Sequence, residues 1–376
     1  MSISAQVTHA NMPETNSPLR KNLISDESLE SAIKRRGLLP KPTLLEKLNS
    51  CAARCLYGGA QQWIHSGYKV SETPVALGGP GDCLAVSADG DTLLTCDAGT
   101  GDDGVPRVVA YSARAGKIVR QLEGHMATVR CVAIDGDVVA SGGDDDTVRL
   151  WSLESGMQLA VLEGHDASVC GLAMDGDYVL SGSSDATVRL WSVQETSCIE
   201  AWSGHTSGVN GVALSGAIGV GVSAGADGTA RVWPLSRGAA RIVILLHPEL
   251  SSGSGETSNA VHSVSVEEET IATGAQDCLV RTWALATSAV TRELPGHTSP
   301  VSCVRLLGTL LVSGAADKTC RVWSIAAKEG QCVTTIDVGY SLAGLACSPL
   351  GFVASVGGAG KAKDDYDRLV VWRPVG

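Results

Sequence analysis

No stretch of this 376-residue chain reaches the ~18–20 uninterrupted apolar residues that a membrane-spanning helix needs. The opening MSISAQVTHANMPETNSPLRKN also lacks the apolar core of a secretory signal. Both absences predict a soluble intracellular protein, cytoplasmic or nuclear. Lys34-Arg35-Arg36 is too short an import signal to decide between the two. Positive charge is scarce, with 29 Lys and Arg against 40 Asp and Glu and a formal charge of −11. Phosphate neutralisation needs clustered cations, so nucleic acid is not the expected main ligand. None of the twelve cysteines forms a CxxC pair. Cys131, Cys170 and Cys303 fall at similar apolar strand positions, which predicts small buried hydrophobes in a reducing compartment, not a disulfide framework.

What the chain does contain is a repeat. Trp151, Trp191, Trp233, Trp283, Trp323 and Trp372 each close a segment of one shape, such as SGGDDDTVRLW, SGSSDATVRLW and SGAADKTCRVW. Tyr111 in VVAYS is a degenerate seventh. A period of about 40–50 residues means one supersecondary unit copied along the chain. In VLEGHDASVCGLAMDGDYVLSGSSDATVRLWSVQETSCIEAW, four short apolar runs are separated by Gly-His, Asp-Gly-Asp and Ser-Ser-Asp-Ala turns. Such spacing predicts antiparallel strands that bury their faces only by stacking on neighbouring units.

Four Gly-His histidines, His125, His165, His205 and His297, precede turn aspartates Asp145, Asp185, Asp227 and Asp317 by 20, 20, 22 and 20 residues. Trp151, Trp191, Trp233 and Trp323 follow six residues later, and Ser141, Ser181, Ser223 and Ser313 stand four before each aspartate. These residues resemble WD40 repeats. The resemblance implies an all-β, seven-bladed WD40 β-propeller with a hydrogen-bonded His–Ser–Asp–Trp tetrad in each complete blade. Chemically the set is sound, since a buried Asp needs donors and imidazole, hydroxyl and indole supply them.

Three units depart from the pattern. One keeps Thr273, Asp277 and Trp283, but its histidine slot falls at Thr257, after the polar loop HPELSSGSGETSN. The first has Pro80 in the histidine slot and an insert, DAGTGDDGVP. The last carries GGAGKAKDDYDR before Trp372. Blades are expected near 74–120, 121–160, 161–200, 201–246, 247–292, 293–333 and 334–376. Only four residues follow Trp372, so 72–77 (ETPVAL) is expected to supply the last outer strand and close the ring. The propeller would span 71–376, behind a disordered tail (1–24) and a partly helical extension (25–70).

No enzyme motif is present. A His–Ser–Asp set repeated four times is structural, because catalysis needs one. Arg149, Arg189, Arg231, Arg281 and Arg321, two residues before each Trp, read as a ladder salt-bridged to its neighbours. GGAGKA lacks the leading glycine and following Ser/Thr of a phosphate loop. Asp144-Asp145-Asp146 reads as a solvated turn and Cys51-x-x-x-Cys55 as one helix face. The expectation is no catalytic residue, no cofactor, no metal and no small-molecule substrate.

Resemblance to WD40 proteins implies protein partners at the channel mouth, near the Gly-His loops. Candidate rim residues are Arg130, Cys170, Asn210, His262 and Ser302, five beyond the Gly-His slot, with Ser168 two earlier in its blade. Asp144, Ser184 and Gln276, just before turn aspartates, join them. The expected function is a non-catalytic scaffold or adaptor presenting propeller loops to proteins. The alternative is a substrate-recognition subunit of a cullin-type ubiquitin ligase, since LLPKPTLLEKLNSCAARCL resembles part of an F-box. The tail of SLESAIKRRGLLP is similar to the RPEL actin-binding motif, with Glu27-Ser28 in place of its Arg-Pro.

Overall fold

The computed structural model describes residues 68–77, 83–97, 104–112, 114–235, 243–247, 259–326, 330–338, 341–348, 351–356 and 367–374. The expected tail, the helical segment up to residue 67 with its F-box-like and RPEL-like stretches, and Thr257 lie outside these residues.

Seven four-stranded antiparallel sheets are formed among the described residues. The third is typical: Val169–Asp175, Tyr178–Ser183, Thr187–Ser192 and Ser197–Ser203 pair in chain order. Its first hairpin closes on Asp175 opposite Tyr178, and Gly176 between them takes φ +60°, a left-handed conformation that suits glycine.

Burial differs by strand. Tyr178–Ser183 is buried at nearly every position, whereas the outer Ser197–Ser203 has no buried residue. A second strand enclosed on both faces needs continuous small and apolar residues, which is why YVLSGS does not alternate. Blade packs on blade through this layer. Leu180, Val188 and Leu190 of one sheet join Val209, Val212 and Trp233 of the next in one apolar cluster. At Gly182 a Cβ would stand 2.5 Å from Val209 Cγ1, so the glycine after the tetrad serine makes room for the next blade.

The seventh sheet joins the two ends of the propeller. Tyr68–Leu77 pairs antiparallel with Asp367–Pro374, from Tyr68 opposite Pro374 to Thr73 opposite Leu369. The register shifts by two residues before Leu77, in the stretch that holds Pro74, which has no N–H to give a ladder. Two boundaries therefore move. Residues 68–70, expected in the helical extension, are strand, and 72–77 is only the second half of the pairing segment. Outer strands also overrun their expected windows, as Lys117–Glu123 and Gln331–Asp337 do.

The cysteine expectation needs a further correction. Cys83 and Cys96 are joined as a disulfide, with Cα atoms 5.8 Å apart. Leu84 pairs with Thr95 across the first hairpin, so the two flanking cysteines stand opposite each other. Reading cysteines one by one misses a pair that only strand register creates.

Candidate functional site

The tetrads come first, because they fix the loops around the channel. In the third blade, His165 Nδ1–H donates to Asp185 at 2.8 Å and Ser181 Oγ–H donates to His165 Nε2 at 2.7 Å. Trp191 Nε1–H donates to the same Ser181 oxygen at 2.8 Å. His125–Ser141–Asp145–Trp151, His205–Ser223–Asp227–Trp233 and His297–Ser313–Asp317–Trp323 repeat this within about 0.1 Å.

Asp–His–Ser in this order reproduces the hydrogen-bond relay of a serine nucleophile. Here Ser141, Ser181, Ser223 and Ser313 have no exposed surface, and an indole N–H occupies the hydroxyl oxygen. An oxygen so enclosed cannot reach a substrate. Burial keeps His125, His165 and His297 neutral by lowering their pKa values, against the pull of the facing carboxylates. Burial works the other way on Asp185, but hydrogen bonds from Thr187, His165 and Asp166 outweigh it and hold the carboxyl at about 2.

The recurrent arginines brace their own blades. Arg149, Arg231 and Arg281 reach the aspartate four residues before them at 3.6, 3.8 and 2.6 Å. Arg189 and Arg321 lie over Trp191 and Trp323, 6.0 Å from the ring centroids. The expected ladder between neighbours is therefore replaced by a bracket within each blade. It also accounts for the Gly of Gly-His: at Gly164, φ is +151° and a Cβ would meet Arg189 Nη1 at 2.7 Å.

The fifth blade solves the same problem with other residues. Trp283 donates to Thr273 at 2.9 Å, and Asn259 Nδ2 donates to Asp277 at 2.8 Å. His247 packs on Trp283 at 5.3 Å between centroids and accepts from Arg281 Nη1 at 3.0 Å through Nδ1. Its Nε2 is buried without a hydrogen-bond partner. Burial, then Arg281, lowers its pKa to about 4. Sequence spacing missed His247 because it stands before the long insertion, and counting back from Asp277 lands at Thr257 beyond it.

The innermost strands of all seven blades surround an axial channel. Arg130, Cys170, Asn210, His262 and Ser302 together line a cavity of ≈ 130 Å³ there. The remaining rim candidates are bonded to these five. Arg130 Nη2 donates to Asp144 at 2.9 Å, Cys170 Sγ lies 3.2 Å from Ser184 Oγ, and His262 Nε2–H donates to Gln276 at 2.8 Å. Arg130's hydrogen bond, joined by one from the Ser168 hydroxyl, holds the Asp144 carboxyl below its usual range. Asn210 and Ser302 instead tie blades together, donating to Val261 O at 2.9 Å and Leu342 O at 2.6 Å. Cys303, in the same lining, is pushed by burial up to about 11 and is no thiolate.

Comparison with known proteins identifies the repeat. The "WD domain, G-beta repeat" model matches residues 116–152, 156–192, 196–234 and 288–324. The chain carries WD40 repeats. These matches span the four complete tetrads and leave out Tyr111, the His247 blade and the Trp372 blade. Mitochondrial division protein 1 of Pyricularia oryzae is 25% identical over 334 residues, covering 81% of this chain and 49% of that protein. NACHT domain- and WD repeat-containing protein 1 of Mus musculus is 38% identical over 77 residues, 20% of this chain and 5% of that protein. The chain thus spans less than half the length of either relative. Solved structures of U3-55K and of the RRP9 WD40 repeats superpose with TM-scores of 0.69 and 0.68 at 23% identity, covering 81% of this chain and 98% and 97% of theirs. At that identity the likeness establishes the fold alone.

Proposed function

We propose that this WD40 propeller is a non-catalytic, intracellular scaffold that holds protein partners against its channel mouth. One observation carries the proposal. Five rim positions from five blades converge on one polar cavity, and hydrogen bonds hold their side chains in place before any partner arrives. Preorganised groups on a rigid frame favour recognition, because little side-chain freedom is lost on binding. The tetrad serines, each hydrogen-bonded to its imidazole, are sealed under tryptophan. A net charge of −11 favours a protein partner over a polyanion.

The test is site-specific photo-crosslinking in the cells that make the chain. A photoreactive residue replacing His262 should capture a discrete partner, and one replacing the exposed outer-strand Leu159 should not. Capture of the same partner at Leu159, with none at His262, would overturn the proposal.

A further inference from the structure

The innermost strands repeat a slot that faces the channel, eight residues beyond each Gly-His histidine: 125 to 133, 165 to 173, 205 to 213 and 297 to 305. In every sheet this slot pairs with the residue that follows the partner of the Trp or Tyr position, so register extends it to all seven blades. Six blades place a small residue there: Ala85, Ala133, Ala173, Ala213, Ser265 and Ala346. The sixth blade places Arg305.

Arg305 lines both the cavity at the mouth and a second one below it, of ≈ 250 Å³. The lower chamber is lined by residues of all seven innermost strands, and Arg305 is the one charged residue among them. Its guanidinium has one hydrogen-bond acceptor among the described residues, the adjacent Val304 carbonyl at 3.0 Å. No described carboxylate pairs with it, although the chain carries eleven more acidic than basic side chains. By contrast Arg130, at the mouth, is neutralised by Asp144.

We propose that the axial channel is a binding site for a carboxylate on an aliphatic stem, with Arg305 as its anchor. A guanidinium presents paired N–H donors that match a carboxylate's two oxygens, and partial burial strengthens that pairing relative to water. The small residues in the other six slots leave room beside the guanidinium for a short stem, so that one oriented charge in a shaped cavity fixes the ligand. Single charge and small volume fit a monocarboxylate better than a phosphate ester, which would call for several cations. The carboxylate can come from a free short-chain acid or from a glutamate side chain of a partner, and the two sources are separable by experiment.

The full-length chain is titrated with hexanoate, hexanol, hexylamine and N-acetylglutamate amide, read by calorimetry and by thermal shift. Hexanoate is expected to bind and to raise the melting temperature, while hexanol and hexylamine do not. Arg305→Ala installs the residue found in this slot of five other blades, so the fold should persist. It should weaken hexanoate at least about tenfold. Arg305→Lys, which keeps charge without the paired donors, should fall between. Binding of N-acetylglutamate amide alone, still dependent on Arg305, supports the site and assigns it to a partner's side chain. If neither acid binds the wild-type chain, or if Arg305→Ala binds them as well as wild type, the site is refuted.

Discussion

Arg130 and Asp144 stand fourteen residues apart in sequence and meet through a guanidinium–carboxylate hydrogen bond of 2.9 Å. The same separation joins Cys170 to Ser184 and His262 to Gln276. Each pair links an innermost strand to the turn just before the blade's aspartate. At three of the five positions the rim is therefore an intrablade pair, while Asn210 and Ser302 reach the next blade.

Removing a tetrad hydroxyl should cost stability and leave rim chemistry alone. Ser181→Ala strips Trp191 of its acceptor and His165 of its donor in a site with no exposed surface. A loss of about 2–3 kcal/mol is expected, because two buried polar groups are left unsatisfied. Chemical denaturation with tryptophan fluorescence measures it, and an unchanged midpoint would refute the tetrad's role.

Acid sensitivity should begin before ordinary carboxylates titrate. His247 has a folded pKa of about 4 against 6.5 for the free side chain, and His125, His165 and His297 shift the same way. Between the folded and unfolded values the unfolded chain binds more protons, so stability falls as pH drops below 6.5. For His247 alone the full loss, reached near pH 4, is on the order of 3 kcal/mol. Asp185, held at about 2, adds a later loss below the unfolded value near 3.8. His247→Gln, which keeps an acceptor for Arg281, should flatten the stability profile between pH 6.5 and 4. An identical profile would show that His247 is not the proton acceptor.

A compensating pair tests how blades pack. Gly182→Ala places a methyl group 2.5 Å from Val209 Cγ1 and 2.8 Å from Val212 Cγ1. Overpacking of this kind costs about 1–3 kcal/mol. Adding Val209→Ala should recover part of that loss, since it removes the nearest clashing methyls. Strictly additive destabilisation in the double variant would contradict direct contact.

How much could be read beforehand follows from what these residues do. The tetrads were legible because a hydrogen-bonded set needs fixed chemistry at fixed spacing, and the 20-to-22-residue interval survived in four units. His247 was not, because the 248–258 insertion breaks that interval while leaving the packing against Trp283 intact. The Cys83–Cys96 disulfide needed register across the first hairpin, in a unit whose tryptophan is Tyr111 and whose histidine slot is proline. Arg305 was passed over because the rim was sought five residues beyond the Gly-His slot and not eight. The arginines two before each tryptophan were recognised as structural but given the wrong partners, since sequence cannot say whether a long side chain bends to its own blade or the next.

One turn departs from its siblings in a way that is measurable. Glu268 takes φ +49° where Gly136, Gly176 and Gly308 take +58°, +60° and +56° in equivalent hairpins. A side chain in that region is strained, so Glu268→Gly should raise stability by about 1 kcal/mol. A loss of stability on thermal unfolding would mean that Glu268 makes a compensating contact.

Rim and frame should be separable by mutation, and the double variant Arg130→Ala/His262→Ala is the test. The Arg130 side chain is 45% exposed, and its ion pair with Asp144 should be worth under about 1 kcal/mol. Affinity for the partner captured at His262 would be measured beside the melting curve, with Ser181→Ala as the frame control. The rim variant should lose the partner and melt like wild type, while Ser181→Ala should melt earlier and, below its transition, still bind. Full binding by the rim variant, or loss of binding only in step with loss of fold, would contradict that separation.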